Sequence, residues 1–306
     1  MARYQYLDDY QFSGCAIRRS NLLTFFGQIW GDTDSLQTRP TAAFFCNTQK
    51  PADARWAYRK IGEATGIHGL PVFVPDERWL FVMDDGFVYV VGQGEDAPEK
   101  PVSKEKHAFF QTARCIEQHA YAVGPLRRVF RRDARNKWVR LDAGLPKSSG
   151  DDSGFDDIDG FSASDLYACG GQGDLWSFDG KRWSRIDVPT NAALWHVVCG
   201  VDGLVYVMTD QRKFLVGRGD SWRIIEQDKT EDVFEDMVWY EDRVYVSTVD
   251  ALYEIVKGVF KPSRLKPPAQ ESYAHMAAGD GVLLVAGSDE ASLYDGKKWT
   301  VVLKAP

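Results

Sequence analysis

Five short apolar segments carry a ligand-type polar side chain at the same, third position. They are Gln111 in FFQTA, Asp157 in FDDID, His196 in LWHVV, Asp236 in FEDMV and His275 in YAHMA. Two imidazoles and two carboxylates, from Asp157, His196, Asp236 and His275, make a donor set for a divalent cation. A cation held there would activate water, the chemistry of a metal-dependent hydrolase or lyase. That chemistry requires the four side chains to converge on one point. The competing use of the same atoms is to hydrogen-bond the backbone of adjoining units, which is how buried polar groups are usually satisfied. The second use is favoured, so no catalytic residue, cofactor or metal is expected.

Two acidic runs suggest a different chemistry. SSGDDSGFDDIDG carries Asp151, Asp152, Asp156, Asp157 and Asp159, and EQDKTEDVFEDMV carries Glu226, Asp228, Glu231, Asp232, Glu235 and Asp236. Asp151, Asp152, Asp156, Glu231, Asp232 and Glu235 are expected to meet a basic protein surface, steered by charge. The alternative is a solvated loop face. Neither run has the spacing of a calcium loop. The arginines of PLRRVFRRDARNKW, Arg127, Arg128, Arg131, Arg132 and Arg135, read as partners for neighbouring carboxylates.

The composition narrows the function classes. The 306 residues hold 37 Lys and Arg against 44 Asp and Glu, a net charge of −7, which argues against general nucleic-acid binding. No apolar run approaches the roughly 18–20 residues of a membrane span. MARYQYLDDYQFSGC lacks the basic and apolar regions of an export signal, so a cytoplasmic location is expected. Cys15, Cys46, Cys115, Cys169 and Cys199 show no CxxC spacing and read as free thiols in apolar strands. No P-loop, GxGxxG in a strand-to-helix context, GxSxG or HExxH occurs.

The elements that must position these residues are short strands. SDLYACGGQGDLWSFDGKRWSRI reads strand, glycine turn, strand, Asp-Gly turn, strand, and similar units precede and follow it. In each, an aromatic opens the last strand: Trp138, Trp183, Trp222, Phe260 and Trp299, about 45, 39, 38 and 39 residues apart. Such a period, with a further short strand before each unit, is that of four-stranded propeller blades. The polar third residues then fall on the innermost strands and line a central channel. The aromatics fill the wedge between blades, as core. About seven blades, with six or eight also compatible, are expected in an all-β single domain, near 12–64, 71–106, 109–147, 155–190, 194–228, 234–269 and 273–306. The first hundred residues are the least regular, and EDAPEKPVSKEK reads as a projecting loop.

IDGFSASDLYACGGQGDLWSFDGKRW (Ile158–Trp183) resembles a bacterial propeller repeat, loosely SDVYAVGxxGxIxxYDGxxW. Gly160, Ser164, Asp165, Tyr167, Gly170, Gly173, Asp179, Gly180 and Trp183 carry the likeness, and DGVLLVAGSDEASLYDGKKW keeps its end. The resemblance implies an architecture like that of WD-repeat and kelch-like proteins, and implies no reaction. Cytoplasmic bacterial propellers of this kind resemble immunity proteins. The expected function is therefore a monomeric, non-catalytic binder that neutralises a cognate, basic toxin.

Overall fold

A computed structural model describes residues 7, 9–30, 37–103, 109–146, 154–268 and 272–304. These residues form seven four-stranded antiparallel sheets and contain no α-helix. The sheets span 10–64, 67–99, 112–140, 157–186, 194–225, 236–262 and 275–303, and are numbered blades 1 to 7. In each, the strands pair in chain order as a meander. The first strand of every blade packs against the first strands of both neighbours, with that of blade 7 against that of blade 1, so the ring is closed. The protein is a seven-bladed β-propeller.

The period of two in each strand explains the stacking. In the second strand of blade 4 (Asp165–Gly170), Leu166 and Ala168 join a core cluster with blade 3, while Tyr167 and Cys169 join one with blade 5. Alternate residues point to opposite faces of a sheet, and both faces here are apolar. Seven such clusters fill the seven interfaces between blades. The aromatics that open the outer strands sit in these wedges. Trp183 is fully buried against Phe155 and Phe178 and donates its indole N–H to the Leu141 carbonyl at 2.9 Å. Phe260 is buried between blades 5 and 6, and Trp138, Trp222 and Trp299 pack in part. The Asp-Gly turns work as expected: Gly180 and Gly296 have φ of 89° and 85°, a conformation that favours glycine.

One expectation is corrected. EDAPEKPVSKEK does not begin as a loop, because Glu95–Glu99 forms the outer strand of blade 2. Its composition misleads because the charge of Glu99 is buried: both its oxygens accept from Arg132 of blade 3, at 2.6 and 3.0 Å. The structure sets Pro98 on this outermost strand, where the missing N–H breaks no ladder.

A meander puts its connections alternately on two faces. The turns from second to third strand and the connections between blades share one face, called upper here. Bonds between the two kinds of connection mark it, such as Asp210 N–H to the Ala193 carbonyl at 3.0 Å and Tyr273 N–H to the Val249 carbonyl at 2.9 Å. The inner strands start at this face and run toward the lower one.

Candidate functional site

The inner strands enclose a channel with a cavity of about 650 Å³. Gln111, Asp157, His196, Asp236 and His275 all line it, so the row anticipated from the repeat phase exists as a ring. Most of its polar atoms are used to tie blades together. Asp157 Oδ1 accepts the N–H of Ile158 at 2.9 Å, and its Oδ2 reaches across to the N–H of Val197 in blade 5 at 3.0 Å. Asp159 repeats the bridge to Cys199 at 2.8 Å. Asp236 accepts from Met237 and, in blade 7, from Met276, both at 2.7 Å. His275 Nε2–H donates to the Phe12 carbonyl of blade 1 at 3.2 Å and so helps close the ring.

Among the described residues, no three His, Cys, Asp or Glu side chains converge as metal ligands do. The set Asp157, His196, Asp236 and His275 is spread over four blades, with both carboxylates occupied by backbone donors. The bonds that Asp157, Asp236 and His275 make run to the backbone of their own and the adjoining blades.

Arg114, from blade 3, supplies the channel's cation and donates to Asp157 Oδ2 at 2.6 Å. Burial opposes the Arg114 charge, but Asp157, Asp159 and Asp236 outweigh it and hold the guanidinium more firmly protonated. Burial likewise opposes the Asp157 charge, and Arg114 and His196 reverse the effect, leaving its carboxyl below the ordinary range. His196 Nδ1 lies 3.4 Å from Asp157 Oδ2. Burial disfavours its imidazolium, yet Asp157 and Asp236 raise it above the usual histidine value. His68 also lines the cavity, and burial pushes it down to about 4. Burial lowers His275 in the same sense.

The residues expected to meet a partner separate into three groups. Asp151 and Asp152 lie outside the described residues. Glu231 and Asp232 are exposed on the connection from blade 5 to blade 6, on the upper face. Glu231 pairs with Arg212 at 3.2 Å, and Asp232 accepts the Thr230 hydroxyl at 2.6 Å. Asp156 and Glu235 are not on a solvated loop: both are half-buried and line the cavity. Burial raises the Asp156 carboxyl, whereas the Gly171 N–H acts the other way. The arginines pair as expected, Arg127 with Asp174 at 2.7 Å and Arg131 with Asp133 at 2.7 Å.

Sequence reasoning missed Trp195. The ladder slips between Leu194 and His196, and this bulge turns Trp195 outward, 39% exposed at the channel wall. It belongs to a wider pattern. Ile29, Trp30, Phe109, Leu126, Val233 and Val249 are also exposed large apolar residues, and all lie at upper-face ends or connections. On the lower face the exposed large apolar residues among those described are Val201 and Val259.

Comparison with solved structures gives the same architecture. The WD40 propeller domain of Doa1 matches with a TM-score of 0.64 at 12% identity, covering 94% of each chain. YCF48 bound to the D1 peptide matches at 0.57 and 12%, covering 79% of this chain and 82% of that one. Raptor of Chaetomium thermophilum matches at 0.65 and 11%, covering 93% of this chain and 28% of its own. At such identities the likeness concerns the fold alone. No protein-family model matches the chain. A curated protein does: the immune protein Tsi7 of Pseudomonas aeruginosa is 33% identical over 247 residues, 79% of each chain. With that identity and coverage, the chain belongs to the Tsi7 immune-protein family.

Proposed function

We propose that this propeller is a non-catalytic immunity protein that binds a cognate toxin protein through its upper face. The observation that carries the reading is the 33% identity to an immune protein over most of both chains. The choice of face rests on where apolar side chains are left in water. Interfaces gain most from a few aromatic and apolar anchors ringed by polar groups. Trp30, Phe109, Trp195, Val233 and Val249 supply such anchors on the upper face. Glu226, Asp228, Glu231 and Asp232 supply an acidic rim beside them, which favours a basic partner and speeds its approach. The protein acts as a monomer in the cytoplasm, where a toxin reaching the cell interior must be met. The bacterial repeat likeness of blades 4 and 7 fits a scaffold whose connections vary while its blades stay constant.

The test is protection. A candidate toxin is produced in a susceptible host, with and without the propeller. Restored growth and a co-purifying complex are expected. Trp30→Asp and Val249→Asp should weaken the complex, whereas Val259→Asp on the lower face should not. Absence of both protection and complex would overturn the functional reading. Protection that is lost with Val259→Asp and kept with the other two would move the interface to the lower face.

A further inference from the structure

The ties between blades set a common register around the channel. Asp157 Oδ2 bonds the N–H of Val197, and Asp236 Oδ2 bonds that of Met276. Positions 157 and 196 are therefore level, as are 236 and 275, and the repeat phase sets the two pairs at one height. The residues one step nearer the upper face are level too: Asp156, Trp195, Glu235 and Ala274. Across blades 4, 5 and 6 this row reads carboxylate, indole, carboxylate, and all three side chains line the cavity.

We propose that this row receives one arginine or lysine side chain of the bound partner, inserted into the channel mouth. An indole face is the best aromatic platform for a cation, and the attraction grows as water is excluded. Carboxylates on both sides add charge-assisted hydrogen bonds, which a guanidinium can take at its edge while its plane lies on the ring. Trp195 sits where the ladder of blade 5 slips, between Leu194 and His196. Among the described residues neither Asp156 nor Glu235 pairs with a Lys or Arg. The nearest guanidinium on the channel wall, Arg114, is committed deeper to Asp157 at 2.6 Å. The titratable groups facing the row are Asp157 and His196 beside Asp156, and His275 beside Glu235. Their protonation would weaken cation binding, so the site works best above the range where His196 titrates.

A protein side chain is the occupant, in preference to a free cation, because of what surrounds the mouth. It opens on the face that carries Trp30, Phe109, Val233 and Val249, so a docked protein would cover it and exclude water from it. The inference rests on the proposed binding face, but its test does not need the toxin. The probe is the capped tripeptide Gly-Arg-Gly, compared with its citrulline counterpart, which has the same shape and no charge. The readout is the indole N–H resonance of Trp195, assigned with Trp195→Phe. The arginine peptide should shift this signal saturably at millimolar concentration, and citrulline should bind roughly tenfold more weakly, the scale of one desolvated cation–π contact. The double variant Asp156→Asn, Glu235→Gln, its circular dichroism unchanged, keeps the indole and loses both carboxylates, so it should bind the arginine peptide more weakly and discriminate less between the two. A Trp195 signal that stays still with arginine, or moves equally with citrulline, overturns the site. A protein that protects cells while Trp195 ignores arginine keeps its function and loses this contact. One that binds arginine without protecting keeps the contact and loses the function.

Discussion

Asp157 is the residue whose removal should hurt the ring most. Its side chain is 1% exposed and serves three blades at once. It holds the Arg114 guanidinium at 2.6 Å, the Val197 N–H at 3.0 Å and the Ile158 N–H at 2.9 Å. Asp157→Ala removes the guanidinium's ion-pair partner and leaves only Asp159 and Asp236 as unbonded counter-charges. Breaking a buried ion pair by deleting one member costs about 3–5 kcal/mol. Arg114 is 27% exposed, and the water that reaches it brings that contribution to the lower end, about 3 kcal/mol. The stranded Val197 N–H adds about 1 kcal/mol. A total near 4 kcal/mol is a large part of the 5–15 kcal/mol typical of a folded protein. Asp236→Ala is the internal comparison. Asp236 bonds two N–H groups but no arginine, so its loss should cost about 1–2 kcal/mol. The assay is equilibrium unfolding in urea, followed by circular dichroism and tryptophan fluorescence together. Replacing the arginine as well, Arg114→Met with Asp157→Ala, should recover about half of the loss, because the orphaned charge is gone. If Asp157→Ala costs under about 1 kcal/mol, or no more than Asp236→Ala, the account of the ring as ion-paired stitching is wrong.

Other outcomes follow from the same structure. Glu99→Ala, which orphans the buried Arg132, should cost about 3–5 kcal/mol in the urea assay, while Glu231→Ala, at a side chain 93% exposed, should change little. His68, held down to about 4 in the fold, stays neutral there while an unfolded histidine protonates below about 6.5. The unfolded chain thus binds the extra proton, and His68 should subtract up to about 3 kcal/mol as pH falls from 6.5 to 4. The gap between wild type and His68→Gln, measured over that range, should change by this amount, and a flat gap would contradict it. Reversing Glu231 and Asp232 to Lys should slow toxin association severalfold at low salt, with the difference shrinking at high salt, as read by stopped flow. Because the ring carboxylates are occupied, a chelator should leave the melting temperature unchanged; a fall would point to a structural metal.

Much of this architecture is legible in the sequence because the blade unit repeats its punctuation. Asp179-Gly180 and Asp295-Gly296 mark hairpins, Trp183 and Phe260 mark wedges, and their phase places Asp157, His196, Asp236 and His275 on one ring. Other features depend on contacts that pattern does not encode. The strand Glu95–Glu99 has no apolar alternation, and it is satisfied by an arginine 33 residues away in the next blade. Trp195 in LWHVV reads as one residue of a regular strand, and nothing local announces the bulge. A signal was present all the same. Shifting the repeat phase back by one residue sets Asp156, Trp195 and Glu235 in a row, where Asp156 and Glu235 otherwise look like parts of solvated acidic runs.

The closure of the ring has a consequence for how the protein is made. Every sheet consists of consecutive strands, so no blade is shared between early and late parts of the chain. Among the described residues, blades 1 and 7 meet through side chains and isolated bonds, such as that between His275 and Phe12, 263 residues apart. During synthesis the flank of blade 1 that carries Phe12, Phe25 and Phe44 has no partner until blade 7 has been translated. At about 5–20 residues per second, that is roughly 15–50 s on the ribosome. For that interval each nascent chain is an open arc with two unlike sticky ends, and the last blade of one arc fits the first blade of another. Crowded polysomes, more than heat, are then the condition under which this protein is most exposed to misassembly, and slowing translation initiation should raise its soluble yield.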